Sequence, residues 1–274
     1  MNWLQNILYG FVSGLTEFLP ISSEAHKVLL RRIFGISESS TIQDVLIHVA
    51  MLFAILTCCR ALIAHLGREQ RKAERMRRKR GTVLQTRGQY DIRLLRSAAL
   101  TMLVGLILGI FGTRSAVSFP LLGGLLVLNG VFLYIPEHMR HGNKDSRSMS
   151  GFDGLLIGLS AALSIFPGIS RIGAAASVAI ARGAEKEHAL NWALLISIPA
   201  LILLIICDVL QIISGGIAIT VAQVPGYILT ALFGYLGAYL SIMLMRFLTV
   251  RIGFSGFAYY SWGAALFTFI IYLI

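Results

Sequence analysis

The sequence predicts an all-α integral membrane protein: six transmembrane helices plus two re-entrant helix pairs in an inverted-topology repeat. Three observations predict it. First, the 274 residues are 56% hydrophobic and only 14% charged, with mean hydropathy +0.76, whereas soluble domains carry about 25% charged residues. Second, six apolar stretches reach the roughly 20 residues that cross a bilayer core. Third, two further apolar segments are broken by proline and polar residues into halves too short to cross.

The first element, about 3–34, is the first broken segment. Its interruption runs from Gly14 through Leu15-Thr16-Glu17-Phe18-Leu19-Pro20-Ile21-Ser22-Ser23-Glu24-Ala25 to His26. Proline removes a backbone donor and glycine loosens the chain, so the helix should break there. Broken backbone at membrane depth persists only when buried in protein or lining a wet cavity, which makes the segment a re-entrant pair. Spans follow at about 42–65, 94–112 and 119–136. The second broken segment, about 152–181, is interrupted by Phe166-Pro167-Gly168-Ile169-Ser170-Arg171-Ile172-Gly173, and spans at about 188–207, 225–246 and 254–274 complete the chain. The expectation is one membrane domain over 1–274, with repeat one about 1–136 and repeat two about 152–274. Three spans per half reverse the second copy, and such folds place their site where the repeats meet, near broken helices.

The formal net charge of +11 raises nucleic acid as a partner. The placement of the charge argues against it, because the basic residues lie mostly between spans, as the positive-inside rule expects. The densest run, Arg68 to Arg96, includes Arg75, Arg77, Arg78, Lys79 and Arg80. The 66–96 stretch is therefore expected to be a cytoplasmic loop touching anionic lipid headgroups. That choice puts the 137–150, 182–187 and 246–251 connections inside. It puts 208–224, the turn around Arg114 and the C-terminus outside. Residues 24–41 also fall outside, awkwardly for Lys27, Arg31 and Arg32. The first broken segment then enters from outside and the second from inside. Cys58, Cys59 and Cys207 sit in apolar spans without metal-ligand spacing, which reads as packing. The N-terminus lacks a basic region and a small-residue cleavage site, so no cleaved signal peptide is expected.

Ionisable residues at membrane depth are costly and mark function by default. Glu17, His26 and Arg171 are the clearest. A carboxylate, an imidazole and a guanidinium beside broken helices form a phosphate-handling set, since the Arg fork matches phosphate oxygens and helix N-termini present free N–H groups. The break after Gly168 should leave such donors near Ser170 and Arg171. Ser22 and Ser23 offer hydroxyls as ligands or as a nucleophile, given a base within reach. His26, three residues after Ser23, has a suitable unperturbed pKa for proton transfer. Plainer readings stand beside these: Ser22 as an N-cap, Glu17 only neutralising Arg171, His26 at the membrane surface, Glu24 as a cap or solvated residue, and His48 as a packed, hydrogen-bonded residue.

At the two break motifs the chain resembles the undecaprenyl-diphosphatase family, the bacitracin-resistance membrane phosphatases of bacteria. Asp44-Val45-Leu46-Ile47-His48 and Ser197-Ile198-Pro199-Ala200 extend the likeness over nearly the whole length. The resemblance implies the same fold, removal of one phosphate from undecaprenyl diphosphate to recycle the cell-wall lipid carrier, a divalent cation (Mg²⁺ or Ca²⁺), and a site facing outside a bacterial plasma membrane. It implies Glu17 as the acidic residue, Ser23 as nucleophile or phosphate ligand, and His26 as its proton partner. Ser170 and Arg171 would hold the diphosphate, with Ser22, Gly168 and Gly173 beside them. The expected partners are a polyprenyl diphosphate and membrane lipids, with a homodimer left open. The chain departs from the family at Ser13, where a second glutamate is usual, at Glu24 and Ala25, at Ile172, at Ala175 and at Ser261. Losing a carboxylate weakens a cation site, since hard cations want several oxygens, although Glu24 could join Glu17 as a ligand. Three functions therefore compete: a polyprenyl-diphosphate phosphatase, a polyprenyl-phosphate transporter or flippase, and a catalytically weakened lipid-binding paralogue.

Overall fold

Proline and glycine punctuate the chain where the sequence predicts breaks. The structure, a computed structural model, describes residues 1–35, 41–80, 87–112, 118–139, 142, 144, 148–216 and 220–273. All regular structure among them is helical. Helix α1 (Trp3–Glu17) starts at Asn2, whose side chain accepts from the Gln5 amide while Gln5 reaches back to the Asn2 amide. The chain turns through Pro20 and restarts as α2 (Ser23–Ile33), capped by Ser22. Then come α3 (Thr41–Cys58), α4 (Arg60–Arg80), α5 (Arg87–Gly112) and α6 (Phe119–Glu137). Helix α7 (Gly151–Ala162) opens with a Ser150–Asp153 capping box, tightens into a 3-10 turn at Leu163–Ile165 and stops before Pro167. Ser170 caps α8 (Arg171–Ala181), and α9 (Lys186–Gly215), α10 (Val224–Arg251) and α11 (Gly253–Leu273) follow.

Among the described residues, six helical stretches are long and apolar enough to cross a membrane: Thr41–Cys58, Asp91–Ile110, Phe119–Glu137, Lys186–Gly215, Val221–Thr249 and Gly253–Leu273. They match the six spans read from the sequence, with shifted ends. The first span stops at Cys58, and the basic residues expected in a loop continue as helix α4. Arg, Lys, Gln and Glu lose little rotamer freedom in a helix, so charge does not make this stretch irregular. Residues 81–86 and Arg114 lie outside the described residues. The 208–224 connection shrinks because α9 runs on to Gly215, and the turn expected at 246–251 is still helix. Lys27 and Arg31 are not loop residues at all; they belong to α2.

Helix packing sets the site. Helix α1 lies along α10, and α7 lies along α5. Each contact uses glycines four residues apart. A Cβ on Gly10 or Gly14 would run into the carbonyls of Thr230 and Gly234, and one on Gly158 into that of Ala98, with Gly154 against Leu94 and Ser97. Small residues at this spacing let helix backbones approach closely. Helices α3 and α9 pack on each other, as do α6 and α11. The Phe18 amide donates to Ser241 Oγ at 3.2 Å, which fastens the end of α1 to α10 just beyond Glu17.

Candidate active site

The two breaks meet in the protein interior. Ser22 adopts φ 67, a conformation non-glycine residues rarely take. Its hydroxyl accepts from the Gly168 amide of the other break at 3.0 Å and from Ala25 at 3.4 Å. In return, the Ser170 hydroxyl donates to Leu19 O at 3.4 Å and accepts from the Gly173 amide at 3.1 Å. Asn129 on α6, fully buried, ties both strands of the crossing. Its Nδ2 donates to Pro20 O at 3.1 Å and Ser261 Oγ at 3.0 Å, and its Oδ1 accepts from the Ser170 amide at 2.9 Å. Both cap serines thus hold the breaks in place. Gly168 (φ 116) packs against Leu125, and Gly173 fits against Leu133 and Pro20. These glycines shape the crossing.

Beside the crossing is a cavity of about 320 Å³ whose lining includes Glu17, Ser22, Ser23, Ser170 and Arg171. Arg171 donates to Glu17 Oε1, and both side chains are more than nine-tenths buried. The Ser23 hydroxyl donates to Glu17 Oε2 at 2.5 Å. Glu17 is therefore gripped on one oxygen by a guanidinium and offers the other to a hydroxyl. Five of the residues singled out in the sequence come together here.

His26 does not join them. Its Nδ1 donates to Ser22 O at 2.7 Å, leaving Nε2 to accept from Tyr260 Oη at 2.8 Å, and the rings stack. It lines a second, mostly apolar cavity with Leu29, Leu30, Ile33 and Phe267. The base within reach of Ser23 is Glu17 instead.

The cavity also holds ionised residues that the sequence reading did not gather into one site. Glu24 pairs with Lys27, which is 3% exposed. Arg31 lies 3.6 Å from Asp44 and donates at 2.6 Å to the Tyr9 hydroxyl, which donates on to Asp44 at 3.2 Å. His48 donates to Asp208 at 2.7 Å, so His48 is hydrogen-bonded as expected but faces the cavity. Glu24, Lys27 and Arg31 follow one another at i, i+3 and i+7, a single helix face. That spacing could have placed all three on one wall. Asp208 could have been found by the rule that flagged Glu17, once α9 is drawn long enough to contain it.

Three cations, Lys27, Arg31 and Arg171, thus face four carboxylates, Glu17, Glu24, Asp44 and Asp208. The Nε groups of Arg31 and Arg171 are buried without a hydrogen-bond partner among the described residues. An ammonium and two guanidinium groups lining one cavity suit an oxyanion. A hard divalent cation fits the arrangement poorly. Both oxygens of Glu17 are engaged, Glu24 is bound to Lys27, and Ser13 contributes only a buried, unpartnered hydroxyl. Among the described residues no three His, Cys, Asp or Glu side chains converge on a point.

Such a chain is a multi-pass helical membrane protein with an ionised, anion-suited cavity where two broken helices cross. The family model for bacitracin resistance protein BacA matches residues 6–267. The chain belongs to that family. It is 28% identical over 262 residues to an undecaprenyl-diphosphatase of Carboxydothermus hydrogenoformans, covering 96% of this chain and 94% of that one. It is 30% identical over 268 residues to an undecaprenyl-diphosphatase of Syntrophotalea carbinolica, covering 96% of each. A third undecaprenyl-diphosphatase, from Desulforapulum autotrophicum, is 31% identical over 209 residues, covering 73% of this chain and 75% of that one.

Proposed function

We propose that this protein hydrolyses undecaprenyl diphosphate to undecaprenyl phosphate and phosphate, recycling the lipid carrier of cell-wall synthesis, from a site open to the outer face of a bacterial plasma membrane. The observation that carries the chemistry is the Ser23 hydroxyl donating to Glu17 at 2.5 Å while Arg171 holds the other carboxylate oxygen. A nucleophile, a base and an orienting cation stand in one chain of contacts. Ser23 Oγ attacks the outer phosphorus as Glu17 takes its proton. The bond from that phosphorus to the bridging oxygen breaks, and undecaprenyl phosphate leaves with that oxygen and the proton from Glu17. Water then attacks the phosphoserine and gives a proton to Glu17. The Ser23 oxygen departs from phosphorus and recovers that proton, freeing inorganic phosphate. Arg171 meets the charge that builds on the phosphoryl oxygens, which is most of what such a site must do.

The packing supports the re-entrant pairs and the inverted repeat. Each broken pair is followed by three spans, and the first helix of each pair packs by paired glycines on the second span of the opposite half. The two first spans, α3 and α9, face each other, as do the two third spans, α6 and α11. A two-fold relation between halves accounts for all four contacts.

The test is phosphate release from a polyprenyl diphosphate by the purified protein in detergent, beside Ser23→Ala and Arg171→Ala. Release well above both variants is expected. Release no greater than theirs ends the reading.

A further inference from the structure

We infer that Lys27 supplies the positive charge that a divalent cation would otherwise bring, so that this protein binds and cleaves its diphosphate without a bound metal. The inference rests on the phosphatase reading and goes beyond it. Metal ions in phosphoryl transfer neutralise charge on the phosphate oxygens and orient them. In this cavity that work is already assigned to the chain's own cations, and the ligands a metal would need are already taken.

The carboxylates come first. Glu17, Glu24 and Asp208 are each bound to a basic side chain of the cavity wall, and Asp44 is held by Tyr9 with Arg31 close by. A metal bound through Glu17 or Glu24 would have to displace Arg171 or Lys27. Each is over nine-tenths buried, and a buried cation stripped of its partner is strongly disfavoured. The turn preceding Glu17 offers no help, since Ser13 presents one hydroxyl where a second carboxylate would be required.

Lys27 is the counterpart. It lies one helical turn beyond Ser23 on the same face of α2, with Arg31 one turn further, so nucleophile and two cations line up along one wall. Its partner Glu24 is 43% exposed while Lys27 itself is 4% exposed. When a diphosphate enters, Glu24, whose exposed face opens on the cavity, turns aside and the ammonium stays, passing from carboxylate to phosphate. Lysine suits this exchange because it acts as a compact point charge with freely rotating donors. Arg31 and Arg171, which line the same cavity, complete the cradle.

The experiment measures phosphate release from farnesyl diphosphate in detergent, in excess EDTA and in Mg²⁺ or Ca²⁺, for the native protein and for Lys27→Met. Native release in EDTA is expected to stay within about twofold of that with metal, whereas loss of a required metal would cost more than about 100-fold. Lys27→Met should lose about 10²–10³-fold in EDTA, the size of removing one preorganised donor. It should recover part of that with Mg²⁺, because Glu24 is then free to bind a cation. Native release that collapses in EDTA and returns with metal overturns this inference and leaves the phosphatase reading standing. No release under either condition overturns the phosphatase reading. Should Lys27→Met fail to fold, calorimetric binding of inorganic pyrophosphate to the native protein decides. Binding in EDTA that Mg²⁺ leaves unchanged supports the inference, and binding seen only with Mg²⁺ overturns it.

Discussion

Glu17 has two oxygens and two partners, and substitutions at this contact touch stability and chemistry together. Arg171→Ala would leave a buried carboxylate unpaired, a loss of about 3–5 kcal/mol. A drop in thermal stability in detergent is therefore expected together with lost phosphate release. Glu17→Gln keeps the volume but removes both the base and the counter-charge of buried Arg171, so release should fall by about 10²–10⁴-fold and the unfolding temperature should fall as well. His26→Ala should lower release by much less than Glu17→Gln, because the His26 ring faces Tyr260 and not Ser23. Comparing the two variants in one assay checks this. The sequence made Glu17, Ser23 and Arg171 legible because ionised or nucleophilic side chains beside a helix break have few bland explanations. It did not place the His26 ring, which bonds Ser22 O and Tyr260, because helical spacing puts two residues near one another without saying which way each side chain turns. Lys27 was misplaced for a related reason. Counted as a loop charge, it is only awkward for the orientation; placed on a buried helix face, it is costly and therefore informative.

Among the helices, the close contact of α1 with α10 holds the Glu17 end of α1 in position. Gly14→Leu would force α1 away from Gly234, and overpacking of this kind costs about 1–3 kcal/mol. The expected result is a lower unfolding temperature, with release reduced although Gly14 does not line the cavity. Gly158→Leu should act the same way on α7 and α5. These pairs, Gly10–Gly14 and Gly154–Gly158, are visible in the sequence at the four-residue spacing that marks close helix contacts. Their partners are not, because which helix receives a glycine face depends on how all the spans are arranged. The breaks were legible for a simpler reason. Proline and glycine act locally, and Pro20 and Pro167, each beside polar residues, follow helix ends, whereas Pro199 is carried inside α9. Helix ends were the least legible feature: α4 stays helical through its basic run, and α9 carries Asp208 past the expected end of its span.

For the whole molecule, the proposed orientation sets the basic helix α4 inside the cell and the turn at Val221 outside. In a variant with the three native cysteines replaced, a cysteine at Lys79 should resist a membrane-impermeant maleimide in intact cells and react after lysis. A cysteine at Val221, 85% exposed, should react in both conditions. The reverse pattern would overturn the proposed sidedness. The six spans were legible because length and apolarity suffice to find them. The cavity was not, since it is assembled from α1, α2, α3, α5, α8, α9 and the turn at Leu163–Ile165, far apart in the chain. Helix α2 stands between the two chambers of this molecule, with Glu24, Lys27 and Arg31 toward one and His26, Leu29 and Ile33 toward the other. A slip of one residue would turn it by about 100°, carrying an ammonium toward the oily chamber and leucine toward the charged one. The helix is thereby keyed against rotation by its own side chains, and the strained backbone at Ser22 stays in place because its neighbours have nowhere else to face.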